Sequence, residues 1–173
     1  MVIFETERLR VRELQQSDFQ GLYAMFNDPL VMRYYPSTRD EGATQEWLDR
    51  MIGYYTESGY ALWALDRKAD NAFVGQCGLL EQNVDGQQEL EIGYLLSSEH
   101  WHQGYATEAA RACKSYAFEK LGRPYVISLI RPINTPSRAV AERNGMSVWK
   151  KTVFRGYEAL VYRVDAKSED APR

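Results

Sequence analysis

The strongest candidate for chemistry in this sequence is an anion-binding turn at residues 101–106, whose sequence is Trp-His-Gln-Gly-Tyr-Ala. The turn lies between a strand-like run and a strongly periodic helical pattern, and a helix N-terminus offers unpaired N–H donors with a partial positive charge. Gly104 lets the backbone approach an anion closely. Neither Gly-Lys-Ser/Thr nor a GxGxxG fingerprint accompanies the turn, so ATP and NAD are disfavoured as ligands. A tight turn that binds nothing is the alternative.

Metal and covalent chemistry are not expected. Cys77 and Cys113 fall on strand-like and helix-like segments, which predicts buried free thiols. His100 and His102 flank Trp101 but lack the other ligands that a zinc site needs, so we predict no metal. No serine or cysteine belongs to a recognisable Ser/His/Asp or Cys/His arrangement.

The elements that must position the turn follow from hydrophobic periodicity. Residues 8–13 alternate charged and apolar side chains, as in a half-buried strand, and Ser17 with Gln20 matches a capping box. The predicted elements are a strand at 8–13, a helix from Ser17 to about Asn27, a helix over 44–59, strands at 60–66, 72–81 and 88–97, a helix over 104–121, a strand at 125–130, a helix from an N-cap at Thr135 to Gly145, and strands at 148–154 and 157–165. The order β-α-α-β-β-β-α-β-α-β-β indicates an α+β (mixed α/β) fold.

Composition limits the classes of function. The 173 residues, 45% hydrophobic and 26% charged, fit one domain, which we place at 1–165, with a disordered polar tail at 166–173. A net charge of −3 without a dense Lys/Arg block argues against nucleic acid and slightly favours a cationic, amine-bearing substrate. With neither a long apolar run nor a signal-peptide layout, we expect no membrane association and a cytoplasmic location.

Residues 101–109, with the sequence Trp-His-Gln-Gly-Tyr-Ala-Thr-Glu-Ala, resemble the acetyl-CoA turn of the GNAT superfamily of N-acetyltransferases, usually written Arg/Gln-x-x-Gly-x-Gly/Ala. Further stretches are similar to its Rim-type branch, which includes ribosomal-protein alanine N-acetyltransferases: Thr-Glu-Arg-Leu-Arg-Val-Arg at 6–12, Asn-Asp-Pro at 27–29, Phe-Val-Gly at 73–75, Glu-Ile-Gly-Tyr at 91–94 and Asn-Thr-Pro-Ser at 134–137. The likeness runs from residue 6 to residue 163. It implies a GNAT-like fold, with a mostly antiparallel twisted sheet of about seven strands and flanking helices.

The resemblance implies acetyl-CoA as co-substrate. Its pyrophosphate would lie on the turn formed by Trp101, His102, Gln103, Gly104, Tyr105, Ala106 and Thr107. Its pantetheine arm would pair with the backbone of Tyr94, Leu95 and Leu96 like an added strand, and Asn134 would hydrogen-bond the cofactor or the splayed strand. Trp101 stands where the superfamily often has Arg or Gln. That departure removes one side-chain contact and leaves the backbone N–H groups in place.

The catalytic assignments also follow from the resemblance. Amine acetylation needs a neutral nucleophile, so a base is useful. Glu89 and Glu91 leave the same face of their strand, and we prefer Glu91 as the base, acting through an ordered water. Ser137 is the candidate acid for the CoA thiolate, with Tyr94 or Tyr105 as alternatives, and the Tyr94 backbone N–H is the expected oxyanion donor.

The acceptor side is the least determined by the sequence. Tyr34 and Tyr35, in a loop beside Pro36, and Glu89 are the candidate substrate-binding residues. The acceptor amine is either a protein N-terminal α-amine or a small molecule such as a polyamine, an amino acid or an aminoglycoside. The alternatives to a direct-transfer enzyme are a non-catalytic acyl-CoA-binding or regulatory domain and a protein-interaction module. Family analogy suggests a homodimer.

Overall fold

The computed structural model describes residues 1–167, so most of the tail predicted at 166–173 lies outside the described residues. The strands and helices of the described chain are β1 (Val2–Glu5), β2 (Leu9–Arg12), α1 (Phe19–Phe26), α2 (Glu41–Glu57), β3 (Leu62–Arg67), β4 (Phe73–Val84), β5 (Gln87–Leu96), α3 (Tyr105–Glu119), β6 (Tyr125–Ile130), α4 (Thr135–Arg143), β7 (Ser147–Phe154) and β8 (Tyr157–Asp165). Short 3-10 turns occupy Gln16–Asp18 and Ser98–His100.

The strands form an eight-stranded sheet in the order β1-β2-β3-β4-β5-β6-β8-β7. Every neighbouring pair is antiparallel except β5 and β6, which run parallel because α3 crosses over between them. The predicted mixed fold with a mostly antiparallel sheet is therefore confirmed. The prediction lacked β1, because Val2, Ile3 and Phe4 are apolar in succession and show no alternation.

Three predicted helix starts are displaced by one to three residues. The helix predicted over 44–59 begins at Glu41, after the N-cap Asp40. Asp18 rather than Ser17 precedes α1, and its carboxylate accepts hydrogen bonds from the Arg12 guanidinium and the Gln15 backbone, at 2.8 Å each. At α4 the N-cap is Asn134 rather than Thr135, and its Oδ1 accepts a 3.2 Å hydrogen bond from the Ser137 backbone N–H. The Asn134 cap is an Asx side chain, which competes well with Ser or Thr, whereas the Asp18 side chain makes no capping hydrogen bond to α1.

Helices pack on both faces of the sheet. Leu62 and Ala64 of β3 belong to a core cluster with α1 and α2, whereas Trp63 and Leu65 belong to a cluster with α3. Alternate residues of a strand face opposite ways, so α3 lies on the face opposite α1 and α2. The buried stripe of α3 consists of small side chains, which let the helix lie close to β4 and β5: Ala109, Ala110, Cys113 and Ala117. Among the described helices, none is long and apolar enough to cross a membrane.

Candidate active site

The parallel strands β5 and β6 separate near the middle of the sheet. Their recorded pairing is Glu91 opposite Ile127, supported by a 2.9 Å hydrogen bond from the Ser128 hydroxyl to the Ile92 carbonyl. Beyond that point β5 stays paired with β4 as far as Leu96, and β6 pairs with β8. A sheet that opens between two strands leaves backbone groups free for a ligand, so the opening is the natural place for a site.

The larger of two cavities at this opening, here called the large cleft, has a volume of about 1270 Å³. Most of the residues predicted to bind the cofactor line it: Tyr94, Leu95, Leu96, Trp101, His102, Gly104, Tyr105, Ala106, Thr107 and Asn134. Gln103 is outside this lining, and its carbonyl instead accepts a hydrogen bond from Arg8. All of the predicted cofactor-binding residues except Gln103 therefore lie together in the large cleft.

The start of α3 is open to an anion. Gly104 is the N-cap in the left-handed conformation, with φ of 82°, and no side chain accepts a hydrogen bond from the first helical N–H groups. The residues of the first turn, Tyr105, Ala106 and Thr107, line the large cleft. Uncapped N–H groups at a helix start carry partial positive charge, so this turn suits a phosphate group.

Thr6, Arg8 and Glu108 brace the turn, although sequence reasoning gave them no role. Glu108 accepts hydrogen bonds from the Thr6 hydroxyl at 2.6 Å, from the Arg8 backbone N–H at 2.8 Å and from Arg8 Nε at 2.7 Å. Arg8 Nη1 also donates to the Gln103 carbonyl at 2.7 Å. Burial alone would raise the pKa of Glu108, but these hydrogen bonds outweigh it and lower the pKa. The only signal in the sequence was that these residues fall inside family-like stretches.

Trp101 has a structural role at the end of β5. Its Nε1–H donates a 2.9 Å hydrogen bond to the Leu96 carbonyl, which ties the turn to the strand. The Arg33 guanidinium lies over the Trp101 ring, 5.5 Å from the centroid, and Arg33 lines the large cleft. A positive charge therefore stands beside the position where the sequence has lost the usual Arg or Gln.

The second cavity, here called the small cavity, has a volume of about 390 Å³ and contains Glu91. It is lined from α2, β4, β5, β6, the loop around Tyr35 and the hairpin between β7 and β8. Six residues line both cavities and mark where they meet: Tyr34, Tyr35, Tyr94, Leu95, Asn134 and Ser137. The two volumes are thus neighbours that share a wall at the β5–β6 opening.

Glu91 is a carboxylate held in place within the small cavity. Gln82 Nε2 donates a 2.8 Å hydrogen bond to Oε2, and the Leu129 backbone N–H lies 3.4 Å from Oε1. Burial raises the pKa of Glu91, against the opposing effects of Gln82, Leu129 and the charge of Arg155. A carboxylate with a raised pKa is a stronger proton acceptor than an exposed one.

The other predicted glutamate, Glu89, does not reach either cavity. It is 3% exposed, and its Oε2 has no hydrogen-bond partner among residues 1–167. Its carboxylate raises the pKa of the Tyr125 hydroxyl at the first residue of β6, so it lies towards the opposite end of the sheet from the opening. Glu89 and Glu91 share a face, as expected, but only Glu91 is at the site.

Tyr94 and Ser137 link β5 to α4. The Tyr94 hydroxyl donates a 2.8 Å hydrogen bond to the Ser137 carbonyl, and the Ser137 hydroxyl donates to the Tyr94 oxygen at 3.2 Å. Burial raises the pKa of Tyr94, so the phenol stays protonated at neutral pH. Asn134 uses its side-chain oxygen to cap α4, which positions Ser137. Two hydroxyl donors therefore stand where the cavities meet.

Tyr34 and Tyr35 lie in the wall between the two cavities, as the loop prediction required. The Tyr34 carbonyl accepts a 3.1 Å hydrogen bond from Arg131 Nη1, which fixes the loop against the end of β6. Tyr35 is 40% exposed as a residue, yet desolvation and the Glu91 carboxylate raise the pKa of its hydroxyl. The Tyr35 hydroxyl therefore lies within electrostatic reach of Glu91, which lines the same small cavity.

The two cysteines belong to the core. Cys77 and Cys113 are buried free thiols with Sγ atoms 3.5 Å apart, and neither lines the large cleft or the small cavity. Within residues 1–167 no group of three or more His, Cys, Asp and Glu side chains is placed to hold a metal ion. The groups available for chemistry at the opening are carboxylates, hydroxyls, arginines, backbone N–H donors and the imidazoles of His100 and His102, which line the large cleft.

The sequence profile of the acetyltransferase (GNAT) domain family matches residues 8–147. The matched residues extend from β2 to the start of β7 and include β5, α3, β6 and α4. The chain therefore belongs to the GNAT acetyltransferase family, and it is an acetyltransferase. Members of this family use acetyl-CoA as co-substrate.

Two curated relatives cover most of the chain. An uncharacterized protein, YkkB from Bacillus subtilis (strain 168), is 40% identical over 151 residues, which is 86% of each chain. An FsC-acetyl coenzyme A-N(2)-transacetylase from Aspergillus fumigatus is 43% identical over 164 residues, covering 88% of this chain and 68% of the relative.

Solved structures share the whole fold. An acetyltransferase from Agrobacterium tumefaciens str. C58 is 29% identical and superposes with a TM-score of 0.81 over 94% of each chain. A RimL ribosomal L7/L12 alpha-N-protein acetyltransferase in complex with coenzyme A superposes with a TM-score of 0.78 at 17% identity, over 95% of this chain and 98% of its own. The second likeness concerns the fold alone.

Proposed function

We propose that this protein transfers the acetyl group of acetyl-CoA to a primary amine by direct attack in a ternary complex. One observation carries the proposal: the large cleft and the small cavity meet at Tyr94 and Ser137, and Glu91 lines the small cavity. Donor and acceptor bound in adjoining volumes would be held in contact, which removes the entropic cost of bringing them together.

The large cleft is the proposed donor site. The uncapped start of α3 would hold the pyrophosphate, with Arg33, Arg111 and Arg143 supplying positive charge along the same cleft. The edge of β5 from Tyr94 to Leu96 faces the opening rather than β6, and apart from the Leu96 carbonyl, which accepts from Trp101, it would pair with the amides of the pantetheine arm. The acetyl carbonyl would then lie near the Tyr94 backbone N–H, the proposed oxyanion donor.

Glu91 is the proposed base. It would take a proton from the acceptor ammonium, directly or through a water, and the neutral amine would attack the acetyl carbonyl. The raised pKa of Glu91 suits this role, because the carboxylate binds the proton more strongly than an exposed one would. As the tetrahedral intermediate collapses, the carbon–sulfur bond would break, Ser137 or Tyr94 would donate a proton to the CoA thiolate, and the second proton lost by the amine nitrogen would restore that hydroxyl.

A covalent acetyl-enzyme is disfavoured in this proposal. The thiols of Cys77 and Cys113 are fully buried and face neither cavity. A thiolate is the usual nucleophile for such an intermediate, and it needs access to the donor. The non-catalytic acyl-CoA-binding alternative is also disfavoured, because the small cavity is lined by Glu91 and by the two hydroxyl groups at which it meets the large cleft.

The proposal includes two classes of acceptor. One is a protein N-terminal α-amine, as for a Rim-type enzyme, and the other is a small-molecule amine. The RimL neighbour supports only the fold at its low identity. The name of the Aspergillus fumigatus relative specifies transfer to an N(2) position. A small cavity of about 390 Å³ lies near the lower end of the roughly 300–1,000 Å³ typical of small-molecule sites, which favours a small amine.

Location and assembly complete the proposal. We propose the cytoplasm, since two buried thiols this close remain free in a reducing compartment. A homodimer is proposed through the edge strand β7, which exposes Val148, Trp149 and Val153. Sedimentation velocity of the wild type and of Val153→Lys would test the assembly, and a wild-type monomer at micromolar concentration would contradict it.

Release of the CoA thiol measured against a panel of small amines and short peptides tests the activity. Amine-dependent release with acetylated product in mass spectra is expected, and Glu91→Gln should abolish most of it. Glu89→Gln is the matched control, because it makes the same change two residues away on the same strand outside both cavities. No release with any amine, or equal losses in the two variants, would contradict the proposal.

A further inference from the structure

The small cavity carries more positive than negative charge. Its lining contains three arginines, Arg39, Arg131 and Arg155, and one carboxylate, Glu91. The chain as a whole has a net charge of −3, so a positive cavity runs against the general composition. A concentration of like charge in a confined volume is unfavourable unless a ligand of opposite charge balances it.

None of the three arginines has a carboxylate partner among residues 1–167. Some arginines elsewhere are paired, such as Arg12 with Asp18 and Asp66, and Arg67 with Asp70, whereas those that line the large cleft, Arg33, Arg111 and Arg143, also lack a carboxylate partner among residues 1–167. The Arg39 side chain makes no hydrogen bond within the same residues and lies over the rings of Phe26 and Trp47, at 4.5 and 4.3 Å from the centroids. Its guanidinium is held by stacking, with its N–H donors uncommitted.

The other two arginines approach from the opposite side of the cavity. Arg131 uses Nη1 on the Tyr34 carbonyl and stacks over Tyr157 at 4.6 Å. Arg155 stands at the turn between β7 and β8 and lies over the Phe154 ring at 5.1 Å. Its charge lowers the pKa of both Arg39 and Glu91, which places it within electrostatic reach of both walls.

Glu91 forms no direct ion pair with these cations among residues 1–167, although the charge of Arg155 acts on it. Its two oxygens are engaged by Gln82 and the Leu129 backbone rather than by a guanidinium. The small cavity therefore has two chemically different ends, because it holds both arginines with free N–H donors and a proton acceptor, Glu91. One end accepts a proton from an amine, and the other binds an anion.

We propose that the acceptor is a small amine that also bears an acidic group, either a carboxylate or a phosphate. This inference rests on the proposed function and narrows its acceptor. The amine would lie against Glu91 and the acidic group against Arg39, Arg131 and Arg155. Polyamines and aminoglycosides are then poor acceptors, which reverses the expectation of a cationic substrate drawn from the overall charge of the chain.

Matched acceptor pairs test the inference. L-amino acids are compared with their amides, O-phosphoethanolamine with ethanolamine, and spermidine and kanamycin serve as cationic probes, all at saturating acetyl-CoA. The carboxylate of an amino acid raises the pKa of its amine, so chemistry alone would favour the amide. A kcat/KM at least about tenfold higher for the acidic member is expected, as for one hydrogen-bonded ion pair. The carboxylate and phosphate pairs distinguish the two sources of charge.

Variants of Arg155 connect the preference to the cavity. Arg155→Gln should lower the ratio of kcat/KM for acid over amide about tenfold, and Arg155→Lys should restore part of it. Lys151→Gln is the matched control: it removes one positive charge from the same hairpin at an exposed position outside both cavities, and the ratio should not change. A preference for amides or polycations, or equal losses on both members of a pair, would overturn the inference.

The experiments distinguish a failure of the inference from a failure of the proposed function. Transfer to neutral or cationic amines in preference to acidic ones would leave the acetyltransferase proposal standing and refute the acidic acceptor. Absence of transfer to every amine would refute the proposed function. In that case isothermal titration of the CoA-saturated protein with the same pairs still decides the inference, and equal binding of acid and amide would overturn it.

Discussion

The hydroxyl of Tyr94 donates a 2.8 Å hydrogen bond to the Ser137 carbonyl, while the Ser137 hydroxyl donates back to the Tyr94 oxygen at 3.2 Å. This reciprocal pair joins β5 to α4 across the opening in the sheet, at the wall shared by the two cavities. The same two groups are the candidate acids, so their structural and chemical contributions need to be separated by experiment.

Tyr94→Phe and Ser137→Ala should differ in stability and in rate. Tyr94→Phe leaves a buried carbonyl without its donor, so we expect a loss of about 1–3 kcal/mol in the free energy of unfolding. Ser137→Ala removes only the weaker bond and should cost less. If Ser137 is the acid, its variant lowers kcat more than Tyr94→Phe does. Denaturant unfolding and steady-state kinetics measure the two effects, and a larger loss of kcat in Tyr94→Phe would transfer the role to the tyrosine.

Glu91→Gln should lower kcat by about 10²- to 10⁴-fold, the usual contribution of a general base. The dependence of kcat on pH should also show whether Glu91 is the base. Because burial raises the pKa of Glu91, wild-type kcat should fall as the pH drops through a value above that of an exposed glutamate. Glu91→Gln should lose that limb. A variant that keeps the acidic limb would show that another group is the base.

Glu91→Gln should also make the protein more stable near neutral pH. A carboxyl whose folded pKa is raised favours the folded state when it is protonated, and that contribution is lost as the pH rises through the folded pKa. The neutral glutamine avoids this loss. Thermal unfolding should therefore show a higher Tm for the variant at pH 7 and a smaller difference below the pKa of an unfolded glutamate, about 4.3. A lower Tm at pH 7 would contradict this account of Glu91.

Gly104→Ala should weaken the binding of acetyl-CoA and destabilise the fold. Its φ of 82° costs a residue with a Cβ about 1–2 kcal/mol, and that Cβ would lie 3.3 Å from Arg8 Nη2. A several-fold higher KM for acetyl-CoA is expected, because the turn must shift its N–H groups. Gly59→Ala is the control, with the same φ of 82° and no atom near the added Cβ. An equal rise of KM in both variants would argue against a cofactor role for the turn.

Glu108→Gln should loosen the brace of the turn and raise the KM for acetyl-CoA with little effect on kcat. The folded pKa of Glu108 is lowered, so its stabilisation is present above the unfolded pKa and is lost as the pH falls. The Tm difference from wild type should thus be largest near neutral pH and shrink in acid. Glu5→Gln, whose partners Arg10 and Lys68 lie outside both cavities, is the control for KM. An unchanged KM in Glu108→Gln would show that the brace does not serve the cofactor.

Much of the fold could be predicted because its signals are local. The small side chains of α3 at helical spacing, the alternation in β2 and the turns of the β3–β5 meander each lie within a few residues of one another. The short strand β1 and the two helix caps were predicted incorrectly or not at all. Those features depend on partners elsewhere, such as the Arg12 guanidinium that engages Asp18.

The candidate site likewise combines features with local sequence signals and features that depend on residues far away in the chain. The turn around Gly104 was predictable because its backbone conformation and its helix start are encoded next to each other. Its brace was not, since Thr6 and Arg8 meet Glu108 from about one hundred residues away, in the family-like stretch that precedes β2. Contacts between residues so far apart in the chain leave no local pattern in the sequence.

The sequence alone determined that the chain has a helix start suited to a phosphate and two glutamates on one face of a strand. Only the tertiary structure decided which glutamate lines the small cavity, because side-chain alternation defines a face but not a position along it. The separation of β5 from β6 lies beside Glu91 and leaves Glu89 buried. The positive charge of the small cavity was likewise a product of folding, since Arg39, Arg131 and Arg155 come from three distant segments that only the sheet brings together.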